Sequence, residues 1–380
     1  MIETILTNAL LVLPDAVLHG SVVVRDGHIA EVQPGQTYAR AAIDLDGDYL
    51  MPGVVDVHTD NLERQVQPRL NARWPSRSAL LAHDAQCAAA GVTTVLDALC
   101  LGDLGFGADA GRRRTFEEGV ADLDALAHTM LLKSEHFLHL RCEMPAIDVL
   151  ELLETVADHA RVRMVSLMDH SPGVGQYADV ERFRALRRKE GVGDAVIEAQ
   201  ILRLWEQRGR LREPNRRALL ARVAALDVAI ASHDDETPEE IAQNHADGIR
   251  ISEFPVTLAA AQAAKARGME VIAGAPNIVR GGSHSGNVAA SDLVRAGAVD
   301  ALASDYVPAS LVEAAFRSAE ATGIALPAAI ALITATPARM ARLPDRGRIA
   351  PGLRADLAQV RLFEGLPVVR KVWRAGDRVA

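Results

Sequence analysis

Eight short apolar runs, separated by longer stretches of mixed polar and apolar residues, follow one another between residues 54 and 305. A short apolar run rich in β-branched residues predicts a buried strand, and strands that alternate with helices predict parallel βα units. The predicted strands are residues 54–60, 92–98, 137–143, 163–169, 228–234, 248–254, 270–276 and 299–305. Eight such units in order predict an α/β fold, a distorted (β/α)8 TIM barrel.

The pattern differs at the two ends of the chain. Residues 1–50 contain short apolar runs broken by Asp-Gly turns at residues 26–27 and 46–47, which is typical of antiparallel strands. The last part of the chain returns to short strands and turns. We therefore expect a small discontinuous β-sandwich domain formed from residues 1–50 and 342–380, with residues 51–341 as the catalytic barrel.

Several helix boundaries have sequence signals. An alanine-rich helix should end at Gly91, a typical C-cap residue. Thr115, followed three residues later by Glu118, has the pattern of a capping box. Pro238 occupies the first position of another predicted helix. Residues 180–226 predict a long charged helical insertion, the largest between two strands.

Composition argues against several classes of protein. The net charge of −9 disfavours a nucleic-acid or anionic-membrane surface, so an anionic substrate would need a local basic pocket. No apolar run approaches the roughly 20 residues that span a bilayer, and the N-terminus has the pattern of a strand rather than a signal peptide. The cysteines Cys87, Cys100 and Cys142 lack zinc-finger spacing and suit a reducing compartment. We expect a cytoplasmic protein.

Ionisable side chains follow the predicted strands at the ends where a barrel collects its catalytic groups. His58 and Asp60 close the first strand and point to the same side, because side chains alternate along a strand. The full set of candidate metal ligands is His58, Asp60, Glu143, His170, His233 and Asp305. A single strand-end histidine or acid is more often a cap, but six together would be costly to bury without a cation.

Mixed nitrogen and oxygen ligands suit Zn²⁺, Mn²⁺ or another first-row dication. Two metals bridged by a carboxylate would use all six residues. His136 and His139 begin the third strand, at the wrong end for catalysis, and His83 in its alanine-rich helix is more often an interior packing residue.

The loop after the seventh strand is rich in glycine. Glycines allow a backbone to approach an anion closely, and Arg280 offers forked donors that suit phosphate; a flexible surface loop is the alternative. The predicted substrate-binding residues, from this loop and from the loop after the first strand, are Asn61, Arg64, Asn277, Arg280, Gly281, Gly282, Ser283 and His284.

A set of motifs in this order resembles one enzyme superfamily. PGVVDVHTD, the later His170 and His233, the strand-end SD of Asp305 and the closing GRIAPGLRADL are together similar to the amidohydrolase superfamily. Within it, HTDNLE, HLRCE, SLMDHSPGVGQY, SHDDET, EFPVT and GAPNIVRGGSHSGN resemble the phosphonate-metabolism family of the carbon–phosphorus lyase pathway. The resemblance covers essentially the whole chain.

This resemblance implies a metal-dependent diphosphatase. The implied substrate is ribose 1-methylphosphonate 5-triphosphate or a close alkylphosphonate analogue, from which water displaces pyrophosphate and leaves the 5-phosphate. The implied cofactor is one or two divalent ions, zinc first, with manganese, iron or magnesium as alternatives. Asp305 would hold a metal and accept the proton of water, with His233 beside it. Arg280 and His284 would grip the triphosphate, and the chain would form a homodimer.

Two departures from the superfamily leave alternatives open. The first strand carries His58-Thr59-Asp60 where most members have H-x-H, and no lysine lies at a predicted strand end, so Glu143 is the best substitute for a carboxylated lysine. His170 and His233 fall on strands four and five, where the superfamily has five and six. A hydrolase of C–N bonds is the alternative enzyme, and a non-catalytic binding subunit, which would show eroded ligand positions, is the alternative class.

Overall fold

The structure is a computed structural model that describes residues 3–69, 72–105, 111–283 and 287–380. His284, one of the predicted substrate-binding residues, lies outside the described residues. The strands are β1 (Glu3–Val12), β2 (Val17–Arg25), β3 (His28–Pro34), β4 (Ile43–Asp44), β5 (Tyr49–Pro52), β6 (Val54–Thr59), β7 (Val92–Leu101), β8 (Glu135–Glu143), β9 (Val162–Met168), β10 (Ala229–His233), β11 (Ile251–Glu253), β12 (Glu270–Gly274), β13 (Ala301–Ala303), β14 (Leu357–Phe363), β15 (Leu366–Arg374) and β16 (Asp377–Arg378).

Helices connect most of the barrel strands and follow the last one. They are α1 (Asn61–Val66), α2 (Ser76–Ala89), α3 (Arg112–Leu126), α4 (Val149–Val156), α5 (Val180–Lys189), α6 (Asp194–Val223), α7 (Pro238–Ala246), α8 (Leu258–Ala266), α9 (Ala275–Arg280), α10 (Ala290–Arg295), α11 (Ser310–Thr322), α12 (Leu326–Ala331) and α13 (Ala335–Met340). Among the described residues, no helix is both long and apolar enough to cross a membrane.

Strands β6 to β13 form an eight-stranded parallel sheet in chain order. A bridge between Thr59 and Asp305 brings its two edges together: the amide of Asp305 donates to His58 O (3.0 Å), and the amide of Asp60 donates to Asp305 O (2.8 Å). The barrel and all eight predicted strands are therefore confirmed. Closure of the barrel brings His58 and Asp60, at the end of the first strand, next to Asp305, which follows the last strand.

Strands from both chain ends form the second sheet, in the order β16-β15-β14-β5-β1-β2-β3, with β4 paired to β1. The antiparallel contact between β5 and β14 joins the N-terminal part to the C-terminal part. A cluster that includes Leu6, Leu11, Leu50, Leu357 and Trp373 forms the core of this sheet. A second sheet built from both chain ends is confirmed, whereas the β-sandwich form of this domain and its boundaries at residues 50 and 342 stay predictions.

The interior of the barrel is apolar away from the carboxyl ends of its strands. Val55 and Phe137 share a buried cluster there with Ala338 and Met340 of α13 and with Leu343. Buried apolar contact of this kind stabilises the fold, and it leaves the polar side chains to collect at the opposite end.

The helix signals had mixed outcomes. Helix α2 ends just before Gly91, whose φ of +89° favours glycine. Thr237 forms both halves of a capping box with Glu240. The capping box predicted at Thr115 is wrong: α3 begins earlier, and the Thr115 hydroxyl donates to Gly111 O (2.8 Å). A threonine already inside a helix can bond the carbonyl four residues back instead of capping.

Candidate active site and metal centre

Glu253, the last residue of β11, is fully buried and bonds two histidines at once. Its Oε1 accepts from His58 Nδ1 (2.8 Å), and its Oε2 accepts from His233 Nδ1 (2.9 Å). The second contact follows from the sheet, because His233 and Glu253 are register partners on neighbouring strands. A carboxylate at Nδ1 fixes the imidazole proton there and leaves the Nε2 lone pair for a metal.

Glu143 has the same relation to His170. Its Oε2 accepts from His170 Nδ1 (2.7 Å), and its Oε1 accepts from the backbone amide of His170 (2.8 Å). Both oxygens of this buried carboxylate are thus engaged with one residue, and Glu143 does not line the central cavity. A bridging metal ligand at Glu143 stays a prediction, but this geometry favours a residue that orients His170.

Asp234 is a site residue that the sequence interpretation missed. Its Oδ2 lies 3.9 Å from His170 Nε2 and its Oδ1 4.0 Å from His233 Nε2, so the carboxylate stands between the two rings. Asp234 adopts a φ of +57°, which turns the chain at the end of β10. The neighbouring Asp235 instead accepts hydrogen bonds from Ser232 and Ser252. The run SHDDET contained this signal, but sequence alone could not say which aspartate faces the site.

Asp60 and Asp305 meet where the barrel closes, and both line the cavity. Asp60 Oδ1 is buried without a hydrogen-bond partner in the structure. Burial and the charge of Asp305 raise the pKa of Asp60 to about 7, against the opposing effect of Arg141. A buried carboxylate oxygen with no donor, next to a second carboxylate, is the arrangement that a cation would satisfy.

The electrostatics of the histidines also suit a metal. Burial lowers the pKa of His58 to about 4, so this imidazole is neutral near pH 7 and can act as a ligand. Burial opposes protonation of His233 too, but the negative charges of Asp234 and Glu253 outweigh it and raise its pKa. The same negative charges would stabilise a metal cation at His233 Nε2 in place of the proton. The donors His58, Asp60, His170, His233, Asp234 and Asp305 therefore fit a divalent metal of mixed nitrogen and oxygen preference.

His139 lies in the barrel interior beneath the candidate metal ligands and is held there by hydrogen bonds. Its Nδ1 lies 3.0 Å from Val57 O and its Nε2 3.0 Å from Ser166 Oγ. Burial lowers the pKa of His139 to about 3, so the ring is neutral. Its ring centroid is 5.0 Å from that of His58, which it packs against edge to face. His139 thus supports a candidate ligand without lining the cavity.

The predicted substrate-binding residues divide into three groups. Asn277 and Ser283 line the central cavity. Asn61 and Arg64 line a neighbouring cleft instead. Arg280 is exposed in the last turn of α9, and neither it nor Gly281 and Gly282 lines the cavity. The loop wound into a short helix because Pro276 lies in its first turn and Gly281 caps it with a φ of +79°.

Asn61 is turned away from the cavity by a buried network. Its amide Nδ2 lies 2.9 Å from His83 Nδ1 and 3.0 Å from Gln86 Oε1. His83 in turn lies 2.8 Å from Asp97 Oδ1 through Nε2, which matches the expectation of an interior histidine.

The same network continues to His136. Its Nδ1 bonds Asp97 Oδ2 (2.8 Å) and its Nε2 bonds Asp84 Oδ1 (3.1 Å). Burial disfavours the charged ring, but the two carboxylates outweigh it and raise the pKa of His136 to about 9. His83, Asp97 and His136 are close enough to hold a metal, yet their facing atoms already bond one another. We interpret the cluster as a structural network.

The helical insertion holds the loop that carries His170, and it also contacts the loop that follows Glu143. Arg208 and Arg212 on α6 bond Asp169 Oδ2 at 2.7 and 3.1 Å, directly before His170. Trp205 Nε1 donates to Pro172 O (2.8 Å) on the other side of His170. The insertion predicted as a charged helical segment thus contributes to the geometry of the site.

A closed parallel barrel with histidines and aspartates at the carboxyl ends of its strands is the arrangement that the amidohydrolase-like sequence motifs predicted. The fold is shared with 5-methylcytosine deaminase from Klebsiella pneumoniae (TM-score 0.66, 15% identity, 99% of this chain and 97% of that one). It is also shared with N-acetyl-D-glucosamine-6-phosphate deacetylase from Mycobacterium smegmatis (TM-score 0.64, 16% identity, 99% of each chain). No family model matches the sequence.

The sequence itself narrows the family. The alpha-D-ribose 1-methylphosphonate 5-triphosphate diphosphatase of Escherichia coli (strain K12) is 42% identical over 378 residues, which are 99% of this chain and 100% of that protein. A D-hydantoinase of Rhizobium radiobacter is 27% identical over 199 residues, 51% of this chain and 39% of that protein. The chain therefore belongs to the family of alpha-D-ribose 1-methylphosphonate 5-triphosphate diphosphatases, as the sequence motifs predicted.

Proposed function

We propose that this protein hydrolyses alpha-D-ribose 1-methylphosphonate 5-triphosphate to the 5-phosphate and pyrophosphate, as a step in phosphonate catabolism. The observation that carries the proposal is the 42% identity to a diphosphatase over 99% of the chain. The substrate and pathway come from that relative's name and from the motifs. A cytoplasmic location and a homodimer stay predictions.

The residues that would hold the metal are His58, Asp60, His170, His233 and Asp305, with Asp234 in place of Glu143. Zinc is the ion we propose, since imidazole and carboxylate ligands suit it, with manganese, iron and magnesium as alternatives. When bound, such a metal acidifies water and draws charge from phosphoryl oxygens.

Asp305 is the residue we assign to proton transfer. It lines the cavity at the barrel seam, beside Asp60. The oxygen of water forms a bond to the phosphorus next to the sugar, and the bond from that phosphorus to pyrophosphate breaks. The proton of water passes to the Asp305 carboxylate. His233 and His170 keep their protons on Nδ1, hydrogen-bonded to Glu253 and Glu143, throughout the reaction. The orientation of the two rings therefore does not change.

Hydrolysis of a C–N bond is the second candidate, because the hydantoinase similarity covers half of the chain. The lysines Lys133, Lys189, Lys265 and Lys371 argue against it, since none lines the cavity. Without such a lysine, a carboxylated-lysine bridge is not available to this site.

Hydrolysis of the triphosphate in ¹⁸O-labelled water tests the proposal. Attack at the phosphorus next to the sugar places the label in the 5-phosphate and none in pyrophosphate, which ³¹P spectra resolve. The Asp305→Asn variant should fold and lose about 10²- to 10⁴-fold in kcat, the typical cost of losing a general base. Asp292→Asn, an exposed aspartate on α10, is the matched control.

Label in pyrophosphate would overturn the assigned point of attack. Faster turnover of a hydantoin than of the triphosphate would favour the second candidate. Full activity after complete removal of metal would show that the reaction does not depend on a metal.

A further inference from the structure

Strand β8 points three alternate side chains to one side, those of His139, Arg141 and Glu143. The first braces His58 and the last orients His170, so two of the three already serve the site. Arg141 lies between them and lines the cavity together with the candidate metal ligands. The sequence motif HLRCE contains it.

The contacts of Arg141 are long for a buried guanidinium. Its side chain is only 12% exposed. Nη1 lies 3.4 Å from Ala98 O, Nε lies 3.5 Å from the thioether sulfur of Met168, and Nη1 lies 3.9 Å from Asp60 Oδ2. Among the described residues, no carboxylate comes within hydrogen-bond distance of this guanidinium.

Other buried arginines of this protein are paired closely. Arg346 bonds Glu135 at 2.7 Å, and Arg216 bonds Asp247 at 2.7 Å. A buried cation without such a partner is costly, because its lost hydration is not replaced. The guanidinium N–H groups of Arg141 therefore remain available for a further hydrogen-bond acceptor. The side chain lines the cavity, so this acceptor could be a ligand.

The charges around the cavity indicate what those donors would bind. Of the described lining residues, Arg141 is the one with a permanently cationic side chain, whereas Asp60, Asp234 and Asp305 are acidic. A triphosphate entering this cavity needs positive donors close to the reacting phosphorus. Arg280, the arginine that the sequence suggested, is exposed and does not line the cavity.

We propose that Arg141 binds the non-bridging oxygens of the phosphoryl group that is hydrolysed, and that it determines the preference of this site for phosphoanhydrides over neutral amides. The inference rests on the proposed function and adds a residue to it. Asp60 is a candidate metal ligand 3.9 Å away, so a phosphoryl oxygen held near the metal lies within reach of the guanidinium. Its forked donors match two phosphoryl oxygens and stabilise charge that builds up as pyrophosphate leaves.

Two substitutions test this role. Arg141→Met keeps an unbranched apolar stem and removes the charged guanidinium, and Arg141→Lys keeps the charge and removes the forked donors. We expect kcat/KM for the triphosphate to fall about 10²- to 10³-fold in Arg141→Met, the range seen when one transition-state donor is removed, with a smaller loss in Arg141→Lys. Metal content should stay at the wild-type value in both variants.

Chemical rescue and ligand binding separate this role from a structural one. Added guanidinium should restore part of the activity of Arg141→Ala in a saturable way. If the substitution instead damaged the fold, added guanidinium would not restore activity. Calorimetry with zinc-loaded protein and inorganic phosphate should show binding at least about tenfold weaker in Arg141→Met, since tenfold corresponds to one lost interaction of about 1.4 kcal/mol. Arg163→Met is the matched control, an arginine on the adjacent strand that packs over the Phe137 ring (4.7 Å) at the other end of the barrel.

Unchanged kcat/KM and unchanged phosphate affinity in Arg141→Met would overturn the inference. Loss of metal from that variant would also overturn it. So would a fall in kcat/KM in Arg280→Ala without a fall in Arg141→Met. If the wild-type protein fails to hydrolyse the triphosphate, the proposed function falls, and phosphate binding by wild-type and Arg141→Met protein still decides whether Arg141 is an anion-binding residue.

Discussion

Glu253 determines which face two imidazoles present to the cavity. One carboxylate has two acceptor oxygens, and each accepts a hydrogen bond from Nδ1 of a different histidine, His58 or His233. The pKa of Glu253 lies well below its usual range, because the histidines around it outweigh the effect of burial. The orientation of two candidate ligands thus depends on the charge and symmetry of one side chain.

Glu253→Gln should weaken metal binding without unfolding the barrel. Glutamine offers one acceptor and one donor, so one of the two histidines would have to carry its proton on Nε2 and could not bind metal. We expect affinity for zinc to fall about 10- to 100-fold, the usual effect of losing a carboxylate behind a metal-binding histidine. Competition with a chromophoric chelator measures this change.

Glu239→Gln, an exposed residue at the start of α7, is the control and should keep wild-type affinity. An unchanged zinc affinity in Glu253→Gln would mean that Nε2 of these histidines is not used for the metal.

Helix α6 shows how a surface insertion affects the interior. One face buries Ile197, Ile201 and Leu204 in the hydrophobic core, and its polar side chains hold two active-site loops. Asn215 is buried, and its amide donates to Met144 O (2.8 Å) and Ala146 O (2.9 Å), just after Glu143. The helix therefore satisfies backbone carbonyls that the loop itself leaves without partners.

Asn215→Ala should destabilise the protein by about 1 to 3 kcal/mol, since two buried carbonyls would lose their donor. A lower denaturant midpoint for unfolding is the expected observation. Glu206→Ala, on the exposed face of the same helix, should change stability by less than about 0.5 kcal/mol. Equal effects of the two substitutions would show that the clamp at residues 144–146 does not contribute to stability.

The network between α2 and β8 predicts a dependence of stability on pH. The pKa of His136 is raised from 6.5 to about 9 in the folded protein, because Asp97 and Asp84 outweigh the effect of burial. The folded state therefore binds this proton more tightly than the unfolded state. The resulting stability is fully present below about pH 6.5 and is lost as the pH rises through about 9. A shift of this size corresponds to about 3 kcal/mol.

The unfolding free energy of wild-type protein and of His136→Gln, measured by urea titration from about pH 6 to about pH 10, tests this expectation. The difference between the two proteins should shrink as the pH rises. A difference that stays constant across this range would show that His136 is neutral in the folded state.

The two sheets of the molecule are joined by charged side chains at the amino-terminal end of the barrel strands, of which Asp356 is buried and Arg354 and Glu135 are partly buried. Arg354 bonds Asp356 and Glu135, and Asp356 Oδ1 also accepts from the amide of Ala375 (2.8 Å). Asp356 is 2% exposed and lies next to β14, whereas Glu135 begins barrel strand β8. This contact lies at the opposite end of the barrel from the cavity, so it concerns stability and not chemistry.

Asp356→Ala should destabilise the protein by about 1 to 3 kcal/mol, because the partly buried Arg354 and the Ala375 amide both lose an acceptor while Arg354 keeps Glu135. Thermal unfolding should show a lower Tm, while metal content and kcat of the folded protein at low temperature stay at the wild-type values. Asp15→Ala, in an exposed turn, should leave Tm unchanged. Loss of metal in Asp356→Ala would contradict the separation of the two ends of the barrel.

The strands and most of the candidate ligands could be predicted from local sequence. A buried parallel strand needs an apolar run, and the residues that follow its carboxyl end lie at the edge of the barrel where sites form. His58, His170, His233 and Asp305 were identified on this basis, and the structure brings their side chains to one cavity or its rim. The substrate was predicted from the resemblance to a family, because no local pattern of residues indicates it.

Tertiary structure decided the partners of each side chain. Both oxygens of Glu143 accept hydrogen bonds from His170, and the Asn61 amide lies within hydrogen-bond distance of His83. Arg141 has no local sequence signal, because its role depends on the absence, among the described residues, of a carboxylate within hydrogen-bond distance. These outcomes depend on contacts between distant parts of the chain. Local propensity carries no information about such contacts, because they exist only once the barrel has closed between residues 59 and 305.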